Sequence, residues 1–136
     1  MSVNFTAEAD ALLELCIEIQ QIPAPTGEET QRAQWVADYL QRAGFAPVEM
    51  DAYGNVYACV RGLQPGPALL VTAHTDTVFP AGVDLTVTRE PGGARIFGPG
   101  LGDNSTGVAA LLWLGRQLQQ RRPVGDVWLV GNTGEE

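Results

Sequence analysis

The chain has 136 residues, 45% of them hydrophobic and 18% charged, with a mean hydropathy near zero. That composition fits a globular domain able to bury about two-thirds of its unfolded surface, and it excludes a disordered segment or a membrane-embedded protein. Sixteen acidic against eight basic residues give a formal charge of −8, and every basic residue is an arginine. This balance argues against nucleic acid or an anionic membrane surface as a partner, since either would want a basic patch.

Cys16 and Cys59 lie in apolar stretches without CxxC or metal-ligand spacing and read as core residues of a protein in a reducing compartment. The first ten residues carry acids, no basic region and no apolar run, so no secretory leader is read there and a cytoplasmic location is expected. Residues 6–21 show helical spacing, with Leu12, Leu15, Cys16 and Ile19 on one face, and stop at Pro23-Ala24-Pro25. A second helix is predicted to open at Thr26, where Thr26 and Glu29 form a capping-box pattern. It carries Trp35, Val36, Tyr39, Leu40 and Ala43 and ends at Gly44.

The period then changes to that of strands over residues 45–50, 56–61 and 68–73, separated by Tyr53-Gly54-Asn55 and by a Gly- and Pro-rich segment, 62–67. Ala68-Leu69-Leu70-Val71 is apolar on both faces, the pattern of a central strand in a covered sheet. Residues 85–88 and 94–97, joined by Glu90-Pro91-Gly92-Gly93, read as a surface hairpin. A glycine-rich loop, 98–102, leads into a helix predicted over 103–120 with Val108, Leu111, Leu112 and Leu118 as its apolar stripe. A last buried strand follows at 127–130. This order predicts an α/β fold with a mixed β-sheet flanked by helices.

Three places carry chemistry. His74, the single histidine, stands two residues before Asp76 at the C-terminal end of a strand, and extended residues at i and i+2 face the same side. Asp103 follows Gly98-Pro99-Gly100-Leu101-Gly102. That loop fails the dinucleotide pattern because Asp103 replaces the third glycine, and no GK[ST] occurs for a phosphate loop. Glu135 and Glu136 adjoin the end of the last strand. Each has an ordinary alternative: a histidine bonded to a neighbouring carboxylate, an aspartate capping a helix, a solvated charged turn. Together they bring one imidazole and four carboxylates to one edge of one sheet, and a divalent cation is the economical way to neutralise them.

In this order and at similar spacing, Ala73-His74-Thr75-Asp76-Thr77-Val78, Gly98-Pro99-Gly100-Leu101-Gly102-Asp103-Asn104 and Thr133-Gly134-Glu135-Glu136 resemble the signatures of the M20 family of co-catalytic zinc peptidases and deacylases. The related M28 aminopeptidases share the metal-site logic, but His-Thr-Asp-Thr-Val looks more like M20. The resemblance implies a partial zinc-exopeptidase-like catalytic domain that hydrolyses an amide bond in a small peptide or an N-acyl amino acid, with the loops nearer the tripeptidase and carboxypeptidase side of the family. It implies that His74 binds one zinc, Asp103 bridges two, and Glu136 binds the other. Asp76 would orient the His74 ring, and Glu135 would be the general base acting on a bridging water. His and carboxylate donors favour Zn²⁺ and also accept Mn²⁺ or Co²⁺. A cis peptide between Asp103 and Asn104 is expected on the same grounds.

The family pattern continues with a further acidic ligand, a lid domain and a late histidine. Residues 1–136 are therefore expected to be the N-terminal portion of a metallopeptidase catalytic domain, incomplete and inactive alone. Missing strands would leave an apolar sheet surface exposed, so self-association is expected. The alternative is a non-catalytic scaffold or partner-binding module that retains part of the metal site.

Overall fold

The computed structural model describes residues 5–136; the first four residues of the stretch read as lacking a leader lie outside the described residues. Among the described residues three α-helices and six strands follow one another: α1 (Phe5–Gln20), α2 (Thr30–Arg42), β1 (Val48–Met50), β2 (Val56–Val60), β3 (Leu69–His74), β4 (Thr88–Arg89), β5 (Ile96–Phe97), α3 (Thr106–Gln120) and β6 (Val127–Asn132). The expected mixed sheet is present, in the order β1-β2-β6-β3, with β2 antiparallel to β1 and β6, and β3 parallel to β6. β4 and β5 form the expected small hairpin, reduced to the pairs Thr88↔Phe97 and Arg89↔Ile96.

β3 corrects the reading of a central strand. β6 inserts between β2 and β3, so β3 is an edge of the described sheet, and Leu69 and Leu70 are 59% and 61% exposed. A strand apolar on both faces announces cover on both sides, but its place in the sheet depends on which later strand pairs with it. That information lies 58 residues further on, at Val127↔Leu69.

The core lies between the helices and one face of this sheet. Cys16 and Ile19 of α1, Val36 and Leu40 of α2, and Val108 and Leu112 of α3 meet Val56, Ala58, Val127 and Leu129. Burying each valine, leucine or isoleucine among them contributes about 1.5–3 kcal/mol. α2 and α3 share that face: a Cβ on Gly131 would lie 3.6 Å from Val36, and Leu129, two residues earlier, reaches Gly115 of α3. On the opposite face Val130 is buried, Tyr57, Cys59 and Trp128 are half-buried, and Leu70 is exposed.

Two helix starts differ from expectation. α2 begins at Thr30 with Glu29 as its N-cap, without a side-chain cap bond, so the Thr26/Glu29 capping box does not form. Its C-terminus does end as expected: Gly44, at φ +88°, donates its N–H to Gln41 O, and Phe45 N donates to Leu40 O. α3 begins at Thr106, not Asp103. A π-helical turn over Leu101–Ser105 precedes it, in which Asp103 (φ −130°, ψ 97°) and Asn104 (φ −130°, ψ 34°) are not helical. The peptide between them is cis, as the motif implies. Asp103 is therefore not a helix cap.

Candidate metal centre

His74 is the last residue of β3 and pairs in register with Asn132 at the end of β6, so the parallel pair delivers the loops following both strands to one place. The third contribution comes from the π-helical turn, where Asn104 Nδ2 donates to His74 O at 3.4 Å. His74 Nε2 lies 3.1 Å from Asp103 Oδ1 and 3.9 Å from Glu135 Oε2. One donor atom from each of His74, Glu135 and Glu136 falls within 4.8 Å of the others. All five residues singled out in the sequence thus gather at one sheet edge.

Their environments differ. Asp76 has no exposed surface and His74 only 14% side-chain exposure, whereas the side chains of Asp103 and Glu135 are 74% and 57% exposed. Asp76 Oδ1 accepts the amide of Glu135 (3.2 Å), and its Oδ2 accepts the amide of Glu136 (3.0 Å) and the Thr26 hydroxyl (3.0 Å). Burial pushes the Asp76 carboxyl up, but these donors together outweigh it and hold the group below the usual carboxylate range. Its ring partner is looser: His74 Nδ1 sits 3.4 Å from Asp76 Oδ1 and, although buried, makes no hydrogen bond.

Glu136 shows the opposite shift. Burial first, then the charges of Asp103 and Glu135, raise its carboxyl above the ordinary value, against a smaller lowering by His74. A crowded set of exposed carboxylates beside one imidazole with a buried, unbonded Nδ1 fits a divalent cation in both charge and donor type.

Several contributors carry no motif. Arg32 is buried beneath the site, donating Nη1 to Thr75 O at 2.9 Å and Nε to Ile22 O at 3.0 Å. Burial pushes its guanidinium down to about 10, against the opposing pull of Asp76. Glu29 is 6% exposed and accepts the amides of Gly27 and Gly134. Asn55 Oδ1 accepts the amide of Thr133 at 2.9 Å. The only sequence signal for Thr26 and Glu29 was their spacing, which also describes a helix cap.

The chain is similar to known peptidases. The model of peptidase family M28 matches residues 55–136. A probable carboxypeptidase from Aspergillus terreus (strain NIH 2624 / FGSC A1156) is 28% identical over 130 residues, covering 88% of this chain and 30% of its own length. A tripeptidase from Staphylococcus aureus superposes with a TM-score of 0.75 at 28% identity, over 91% of this chain and 36% of that one. A Bacillus subtilis dinuclear metal-binding peptidase of the M20 family shares the fold, with a TM-score of 0.69 at 17% identity over 96% of this chain and 36% of that one. The chain spans about a third of the length of the curated relatives it matches. With the matched segment covering more than half of its residues and containing all five site residues, the chain belongs to peptidase family M28.

Proposed function

We propose that these residues form part of a two-zinc centre that hydrolyses an amide bond in a small peptide or an N-acyl amino acid, with loops that resemble those of the related M20 peptidases. One observation carries the reading: donor atoms of His74, Glu135 and Glu136 lie within 4.8 Å of one another, with Asp103 Oδ1 3.1 Å from His74 Nε2. Relatives named as carboxypeptidase and tripeptidase support the peptide-hydrolase class.

In this reading His74, Asp103 and Glu136 would hold the ions. When bound, two Zn²⁺, or Mn²⁺ or Co²⁺ in their place, would supply the charge that lowers the pKa of water and stabilises a tetrahedral oxyanion. Glu135, with its exposed side chain, takes the proton from the attacking water and returns it to the departing nitrogen. Asp76 is buried behind the imidazole and pins the amides of Glu135 and Glu136, so it sets where both glutamates begin. The 136 residues would be the N-terminal portion of the catalytic domain, with further ligands supplied from outside them, since His74 is the single histidine here.

Zinc titration followed by calorimetry tests this directly. Binding should be lost in His74→Ala and in Asp103→Ala, and tight binding that survives both would overturn the assignment. In the complete enzyme, Glu135→Gln should retain metal while turnover of a tripeptide or N-acyl amino acid falls by about 10²–10⁴. The 136-residue chain alone should hydrolyse neither.

A further inference from the structure

Residues 25–29 form a turn, closed by Glu28 N donating to Pro25 O at 2.8 Å, that reaches the site from a part of the sequence with no metal motif. Thr26 and Glu29 are the two residues whose spacing suggested a helix cap, yet α2 has no side-chain cap bond. Both side chains are used elsewhere. Thr26 Oγ1 donates to Asp76 Oδ2 at 3.0 Å, across 50 residues of sequence. Glu29 Oε1 accepts Gly27 N at 2.9 Å and Gly134 N at 3.2 Å, across 105 residues in the second case. Arg32, in the first turn of α2, anchors the same segment from below through Ile22 O and Thr75 O.

We propose that Thr26 and Glu29 are positioning residues of the metal centre: Thr26 fixes the rotation of the Asp76 carboxylate, and Glu29 fixes the backbone from which Glu135 and Glu136 project. The terminal torsion of an aspartate is broad, so the carboxylate plane is set by whatever bonds its two oxygens. Asp76 Oδ2 has two donors, Glu136 N and Thr26 Oγ1; removing the hydroxyl leaves one and loosens the plane that also faces His74 Nδ1. Gly134, at φ +69°, immediately precedes Glu135, and a residue in that left-handed region redirects the chain. Its amide is tied to a carboxylate that is itself buried and held by Gly27. Together the two contacts lock three segments, residues 25–29, 74–77 and 133–136, into one frame. Neither side chain is among the proposed metal donors.

The proposal rests on the metal-centre reading, and Co²⁺ alone is the probe that tests both. Absorbance titration should show Thr26→Val and Glu29→Ala binding Co²⁺ about 10- to 100-fold more weakly, the range typical for lost partners behind a metal ligand. Thr26→Ser, which keeps the hydroxyl, and Glu29→Gln, which keeps the acceptor oxygen, should stay close to the parent. In the metal-free protein, amide hydrogen exchange at Gly134 should accelerate in Glu29→Ala and not in Glu29→Gln. Parent-like affinity in both Thr26→Val and Glu29→Ala, or a Thr26→Ser variant as weak as Thr26→Val, would overturn the positioning role, as would unchanged Gly134 exchange in Glu29→Ala. A His74→Ala variant that binds Co²⁺ like the parent would instead remove the metal centre, and the positioning role with it.

Discussion

Asp51 accepts four bonds with two oxygens: the amides of Tyr53 and Asn55 on Oδ1, and Asn55 Nδ2 and the Tyr57 hydroxyl on Oδ2. The Asn55 it orients then bonds Thr133 N, so a carboxylate between β1 and β2 orders the approach to Glu135. The Asn55 side chain, ahead of the opposing effect of burial and helped by the amides and Tyr57, holds the Asp51 carboxyl below its ordinary 3.8. A lowered folded value means that this stabilisation is present above pH 3.8 and is lost as pH falls through the folded value. Asp84 and Asp126 are lowered in the same sense, by Thr86 and by Gly62 with Arg61 respectively, so the acid limb of stability is shared. Asp51→Asn should reduce the melting temperature at neutral pH and flatten part of its decline in acid. A melting curve series against pH that matches the parent throughout would count against this role.

At the level of elements, α3 depends on glycines that its helical character disfavours. A Cβ on Gly107 would overlap the side chain of Asn104, the residue that reaches His74 O, and a Cβ on Gly115 would lie 2.5 Å from Leu129 Cδ1. Glycine-to-alanine changes inside a helix ordinarily add up to about 1 kcal/mol. Here Gly115→Ala should instead destabilise, by about 1–3 kcal/mol as overpacking does, and Gly107→Ala should also lower the melting temperature. Denaturant titration decides the sign, and a stabilised variant at either position would refute the contact it is based on.

The same scale shows what was legible beforehand. The positions of α1, β2 and β6 follow from local periodicity, although β6 runs two residues past the expected 127–130, and the gathering of His74, Asp76, Asp103, Glu135 and Glu136 follows from motifs at strand ends and in the glycine-rich loop. The starts of α2 and α3 do not. At Thr26 and Glu29 the cap pattern is diverted by Asp76 and Gly134, partners 50 and 105 residues distant. At Asp103 the backbone leaves helical geometry through a π-helical turn that no spacing announces. The edge position of β3 was illegible for a related reason, because strand neighbours are set by pairing rather than by composition.

For the whole molecule, the helices cover one face of the sheet, while the other carries exposed Leu70 beside half-buried Trp128 and Cys59 in one row across the strands. Among the described residues, the outer side of β3 has no paired strand. A half-covered sheet with an open parallel edge is a template for association. The chain should self-associate with rising concentration in sedimentation velocity experiments, and Leu70→Lys should weaken that association while leaving the melting temperature nearly unchanged. A monomer at all concentrations would exclude it. Among the described residues no helix is long and apolar enough to cross a membrane.

The insertion of β6 between β2 and β3 also dictates an order of assembly. β2 and β3 are consecutive in the sequence but share no ladder, so β3 acquires its hydrogen-bonded neighbour only when a strand synthesised more than fifty residues later arrives. Closing such a separation before any pairing is gained is what slows folding in non-local topologies. His74 and the two glutamates should therefore come together in the same event that completes the sheet. In pulse-labelled refolding, amides of β3 and β6 should become protected with one common rate, behind those of the β1–β2 hairpin.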